Sequence, residues 1–253
     1  MRRYFSILVV AMATILLSAC ELEGSDYQGQ SYAEKLIWNR VLDGLEVEHE
    51  YMLPVVHLNE KLLGNETYKT SYDSPSGYSD KSGEDGYVLV YGYNEYSKKY
   101  YSIITDGKRL DEGAQWELYA WEERNVSSKQ YVGTVTGIAG QTNMFRFSTG
   151  NPTWSRYSFC VAQESEVEYL FNEGTGYYDL RMTSVSGVNT DYLYDDASSD
   201  YTIEYESLRP MVFERGQLIS GKMNLLYKDH VRQSERSVGV EISNRIVTYS
   251  EIK

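Results

Sequence analysis

The chain has 253 residues, with 24 Lys and Arg against 37 Asp and Glu and a formal net charge of −13. Phosphate backbones and anionic lipid surfaces select clustered Lys and Arg, so this balance argues against a nucleic-acid partner and against a domain lying flat on anionic lipid. The length suits one domain or two small ones, and 25 Tyr against 6 Phe and 4 Trp enrich the chain in a ring that favours strands and half-wet surfaces.

Arg2 and Arg3 form a positive start, and Tyr4 to Leu17 form an apolar run. That run is too short to span a bilayer and reads as a secretory signal. It ends in Leu17-Ser18-Ala19-Cys20, two small residues and then a cysteine. This resembles the lipobox of bacterial lipoproteins. The resemblance implies a diacylglycerol thioether on Cys20, cleavage before it and acylation of the freed amine. Two or three acyl chains anchor stably where one is marginal. The expected protein is thus held extracytoplasmically on a membrane by lipid, at the outer membrane or cell surface if the cell is Gram-negative. Residues 20–30 read as a flexible tether. Its acids Glu21, Glu23 and Asp26 partly resemble the acidic export signal of Bacteroidetes surface lipoproteins.

A helical segment is expected over 31–64. Ser31-x-x-Glu34 is a capping box, and Ala33, Leu36, Ile37, Val41 and Leu45 come next at helical spacing. A second apolar set, Met52, Val55, Val56, Leu58, Leu62 and Leu63, is closed by Gly64-Asn65. Pro54 removes a backbone donor and predicts a kink or break, giving short helices over about 32–46 and 50–63. The polar stretch 65–86 reads as a loop.

From Tyr87 the period becomes two. Strands are predicted over 87–93, 99–105, 115–122, 131–138, 143–148, 156–162, 166–171, 177–184, 190–194, 201–206, 211–214, 217–227, 237–243 and 245–250. Short strands at this spacing predict a mainly β domain over 87–253, an antiparallel sandwich or barrel preceded by one or two N-terminal helices. Within Gln115–Trp121, Trp116, Leu118 and Ala120 fall on one face and Glu117, Tyr119 and Trp121 on the other.

No catalytic motif survives inspection. His49-Glu50 begins like a zinc-protease helix, but Leu53 stands where the second histidine belongs and His57 lies beyond Pro54. Gly216 to Lys222 nearly spells a phosphate loop, but Met223 replaces the hydroxyl residue, and Met223 to Tyr227 read as strand where a helix is needed. No G-x-S-x-G occurs. Cys160 is the one cysteine besides Cys20 and reads as a small buried hydrophobe. Asp191, Asp195, Asp196 and Asp200 are the best candidate metal ligands, since calcium takes several oxygens from one loop, but a solvated acidic face is the default reading of this stretch. No other cofactor is expected.

Tyr119 and Trp121 beside Glu122 and Glu123, and Tyr177 and Tyr178 beside Asp179, are candidate sugar-stacking residues; the plainer alternative is one ring in and one ring out along each strand. The expected function is a non-catalytic envelope lipoprotein that binds a glycan or a protein. A surface polysaccharide hydrolase and a structural or adhesion component remain as alternatives. Two carboxylates converging in a deep cleft would favour the hydrolase, a flat row of rings the binder, and a long unpaired edge strand assembly by strand addition.

Overall fold

The computed structural model describes residues 32–64, 80–83, 86–94, 99–105, 107–122, 130–149, 159–191, 201–214 and 216–251. The chain divides into two units, 1–36 and 37–253. The helix α1 (Tyr32–Leu62) starts in the first unit and runs on through the second. The strands are β1 (Asp80–Gly83), β2 (Gly86–Asn94), β3 (Lys99–Thr105), β4 (Gln115–Glu122), β5 (Gln130–Gly137), β6 (Met144–Thr149), β7 (Phe159–Asn172), β8 (Tyr177–Asp191), β9 (Tyr201–Glu214), β10 (Gln217–Asp229), β11 (Ser234–Ser243) and β12 (Ile246–Glu251). They form one open antiparallel sheet in strict chain order, with a 3-10 turn at Leu110–Glu112 before β4. The protein is therefore mainly β and sandwich-like, with an N-terminal helix, as the change of period predicts.

The helix differs from expectation in being continuous through Pro54. An interior proline costs about 3 kcal/mol. Around it Met52, Val55, Val56 and Leu58 are all fully buried, and burying each contributes roughly 1.5–3 kcal/mol. Packing therefore outweighs the lost bond, and the helix is carried across the break that local chemistry favours.

Much of the helix circumference is buried. None of Glu48, His49, Tyr51 and Met52 is more than 6% exposed, while Asp43, Glu46 and Lys61 form an exposed stripe along the opposite side. The sheet reaches the helix from several strands at once. From β3, Tyr101 sets its ring 5.6 Å from that of Tyr51 and donates to Glu50 Oε1 at 2.6 Å. From β7, Ser165 donates to Glu48. From β8, Asn189 Nδ2 donates to the Arg40 carbonyl at 3.2 Å, and from β9 the Phe213 ring stacks on His49 at 4.8 Å. One helix touches β3 and β9 together only if the sheet curves around it, with its inner face toward the helix.

Near the helix end, Asn59 ties three pieces of the chain together. Its Oδ1 accepts the Leu110 N–H at 3.1 Å, while its Nδ2 donates to the Thr142 carbonyl at 2.9 Å and to the Tyr169 hydroxyl at 2.8 Å.

The sheet keeps two distinct faces. Trp116, Leu118 and Ala120 of β4, Ile203 and Tyr205 of β9, and Met223 and Leu225 of β10 point inward and are buried. Three strands are longer than the sequence suggests, because β7, β8 and β9 run unbroken through stretches read as interruptions. The cause is a shift of phase. On β8 the buried positions are Leu180 and Met182, then Val185 and Asn189, because β8 carries one extra residue between Met182 and Ser184 where β7 steps directly from Val167 to Glu166. A bulge adds one residue and reverses which parity faces the core, so a strict two-residue period breaks off there. Pro210 of β9 sits at the matching irregularity, where its missing N–H breaks no ladder bond. Strand β1 falls within the stretch expected to be loop.

Candidate binding groove on the outer face

The three long strands, with β6, β10 and β11, present a broad outer surface. Residues paired across antiparallel strands point to the same side, so the register fixes its composition. One row runs Ser148, Glu164, Ser186, Glu206, Asn224. The next runs Ala162, Val188, Glu204, Leu226, Ser237. Small side chains at Ser148, Ala162 and Ser186 alternate with taller ones, and the two rows border a groove of about 810 Å³. Its floor is the backbone of Gln163, Gly187, Tyr205 and Leu225. Gly187 is needed here, because a Cβ would lie 2.5 Å from the Tyr205 hydroxyl oxygen and 2.7 Å from the Ala162 carbonyl oxygen.

The charges on this face are mostly matched across strands. Arg146 pairs with Glu166 at 2.9 Å, Arg181 with Glu168 at 3.6 Å, Lys228 with Glu204 at 2.5 Å, and Arg209 and Lys222 with Glu241 at 3.3 and 3.4 Å. Glu164 and Glu206, the two carboxylates of the first row, have no ion-pair partner among the described residues. They stand two strands apart, roughly 10 Å across the sheet.

Behind the floor lies a buried polar group facing the helix. The Tyr205 hydroxyl donates to Gln163 Oε1, and burial and the nearby Glu48 raise its pKa. Burial also pushes the Glu48 carboxyl up to about 8, against the Ser165 hydrogen bond that lowers it, so it is uncharged at neutral pH. Glu48 Oε2, Gln163 Nε2 and Asn189 Oδ1 have no hydrogen-bond partner among the described residues.

The histidines belong to packing and turns. Burial lowers His49 to about 4; burial, and secondarily Lys61, lowers His57 to about 4. His230 comes just after β10, with Nε2 2.7 Å from Thr202 Oγ1.

The residues singled out from sequence lie elsewhere. Tyr119 and Trp121 do share the outer face of β4, opposite buried Trp116 and Leu118, and both are half-buried. Tyr119 donates to Glu117 Oε2 at 2.8 Å and meets the Tyr131 ring edge-on at 5.5 Å. Tyr119 and Trp121 lie on β4, whereas the groove spans β6 to β11, so the two do not meet. Tyr177 and Tyr178 take opposite faces. Tyr177 is 40% exposed, while Tyr178 packs edge-on against Tyr169 at 5.4 Å and Phe171 at 5.2 Å. Burial, then hydrogen bonding to Glu60, raises the Tyr178 pKa. These two rings form no common platform.

Asp191 closes β8, and Cys160 falls in β7. Cys20, Glu123, Asp195, Asp196 and Asp200 lie outside the described residues. Among the described residues no cluster of three His, Cys, Asp or Glu could hold a metal ion, and no helix is long and apolar enough to cross a membrane.

The groove residues Glu164, Ser186 and Glu206 were not evident from sequence. Glu164 falls in the gap between the strands predicted over 156–162 and 166–171, and Ser186 in that between 177–184 and 190–194, while Glu206 ends the strand predicted over 201–206, so nothing local joins the three. No family model, curated protein or solved structure matches the chain.

Proposed function

We propose that the protein is a lipid-anchored envelope lipoprotein whose β domain is a non-catalytic glycan-binding module, with the outer groove as its combining site and Cys20 as its anchor. The observation that carries this reading is the row Ser148, Glu164, Ser186, Glu206, Asn224 along the groove. Alternating carboxylate, hydroxyl and amide groups offer acceptors and donors at strand spacing, which suits a ligand dense in hydroxyls. The geometry disfavours hydrolysis. Glu164 and Glu206 project side by side from one open face, whereas glycosidases place two carboxyl groups on either side of the scissile bond.

A glycan array probed with the detergent-solubilised full-length protein tests the binding. The expected result is retention on a subset of glycans, weakened several-fold by Glu206→Gln with an unchanged melting temperature. No retention, or retention indifferent to substitutions in the groove, overturns the reading. The anchor is tested separately: Cys20→Ser is expected to release the processed chain from membranes or leave the signal uncleaved. A processed Cys20→Ser chain that still sediments with membranes refutes the anchoring role.

A further inference from the structure

We propose that the combining site continues past the groove onto β5 and β4, where Tyr119 and Tyr131 form a stacking subsite for one sugar unit of a linear glycan lying across the strands. This rests on the glycan-binding reading and adds to it a second contact and a length requirement.

The register joins the two places. The first groove row reaches Ser148 on β6. Ser148 pairs with Thr134 of β5, and Thr134 with Glu117 of β4, so the same polar row runs on for two more strands. Beside it on β7 the second row begins at Ala162, two residues before Glu164. The corresponding side on β5 and β4 is taken by Tyr131 and Tyr119, which pair with each other. A register shift between Leu118 and Tyr119 keeps Tyr131 on the outer face, although it stands three residues before Thr134. Both groove rows, followed across the sheet, therefore arrive at the two tyrosines. Trp121 lies two residues beyond Tyr119, outside both rows.

The rings are held in place. The Tyr119 hydroxyl donates to Glu117 Oε2 at 2.8 Å, and the Tyr131 hydroxyl bonds Thr134 Oγ1. Each bond ties a ring to the polar row on its own strand. The ring centroids are 5.5 Å apart, and Tyr131 stays 38% exposed. A ring already fixed loses little conformational freedom when a ligand arrives. It offers the apolar face of a pyranose a flat surface, while the row beside it offers that sugar's hydroxyls acceptors and donors. An extended peptide would need a free strand edge, and β4 to β10 have strand neighbours on both sides. Tyr119 on β4 and Glu206 on β9 are five strand spacings apart, roughly 24 Å, and a pyranose is about as long as one spacing, so the whole site suits about five sugar units.

The test is an array of linear β-linked oligomers of glucose, N-acetylglucosamine, mannose and xylose, from dimers to octamers, probed with the detergent-solubilised full-length protein. In a retained series, retention is expected to climb several-fold once the chain exceeds about four units and to level off beyond about six. Tyr119→Ala and Tyr131→Ala should each remove that gain, leave shorter oligomers bound as before and keep the melting temperature. Tyr131→Leu, which keeps apolar bulk without a flat ring, should remove it as well.

Retention that Ser186→Trp abolishes by filling the groove, but that does not depend on length, overturns the stacking subsite and leaves the groove reading standing. So does a gain with length that survives the Tyr131 variants, or one that Tyr131→Leu keeps and Tyr131→Ala loses. Tyrosine variants that lower the melting temperature and the retention of every length alike make the rings packing residues and overturn the subsite too. If the unaltered protein retains none of these oligomers the subsite is overturned, and the broader glycan array decides the groove reading independently.

Discussion

The two faces of the long strands handle polar groups in opposite ways. On the inner face, polar side chains are buried and answered by the helix: Ser165 by Glu48, Asn189 by the Arg40 carbonyl, Tyr169 by Asn59. On the outer face the charges are solvated: Glu166, Glu168, Glu204 and Glu241 are met by bases from neighbouring strands, while Glu164 and Glu206 in the groove, and Glu117, Glu214 and Glu235 elsewhere, have no ion-pair partner among the described residues. Buried groups left unpaired are expensive, so the inner face is tied to folding. Exposed charges lose little by standing alone, so the outer face is free to keep groups for a ligand. Substitutions on the two faces should therefore separate cleanly into effects on stability and effects on binding.

The largest contrast comes from two tryptophans five residues apart on β4. Trp116 is fully buried and its Nε1 donates to the Lys108 carbonyl at 3.0 Å. Trp121 is half-buried on the other face. Trp116→Ala is expected to destabilise by about 3–5 kcal/mol, and Trp121→Ala by about 1 kcal/mol. Chemical denaturation of both variants measures the difference. Comparable losses would show that the outer face of β4 is covered and would dissolve the distinction between faces there.

The next effect is a dependence on pH. Glu48 has its pKa raised from 4.5 to about 8 by burial. Between those values the folded chain keeps a proton that the unfolded chain has released. The stability this contributes is complete below about pH 4.5 and is lost as pH rises toward 8. The slope is at most about 1.4 kcal/mol per pH unit. Glu48→Gln should flatten stability between about pH 6.5 and 8, read from denaturation midpoints at a series of pH values, and below 6.5 it should leave the rise with pH that His49 and His57 contribute. His49 acts in the opposite sense: lowered from 6.5 to about 4, it contributes stability above pH 6.5 that is lost as pH falls through 4. A wild-type slope that survives Glu48→Gln unchanged would place its origin elsewhere.

The parts of this fold legible in sequence are those set by local alternation. Strands β3 and β4 have the expected bounds, and Trp116, Leu118 and Ala120 face inward as their spacing predicts. Misread segments are those where a distant group decides. Pro54 is carried by the sheet around it. Gln163, Ser165 and Asn189 look like solvent-facing residues, yet they are buried because the helix and neighbouring strands meet them. The phase shift between Met182 and Ser186 hides the continuity of β8. The groove was illegible for a related reason: Glu164, Ser186 and Glu206 come from three strands, and only the register makes them neighbours.

The smallest expected change in stability tests the outer face most directly. Lys228 holds Glu204, which borders the groove in the row beside Glu164 and Glu206. Lys228→Met removes the cation and keeps most of the side-chain volume. Exposed pairs of this kind contribute little to folding, so the melting temperature should stay within the scatter of replicate measurements. The groove would then contain three carboxylates without partners instead of two. A glycan that lies in the groove meets the freed Glu204 carboxylate, so Lys228→Met should change retention on the glycan array several-fold while stability stays the same. Retention that the substitution leaves untouched would place the combining surface away from this row, because no ligand seated between the two rows can avoid a side chain that borders them.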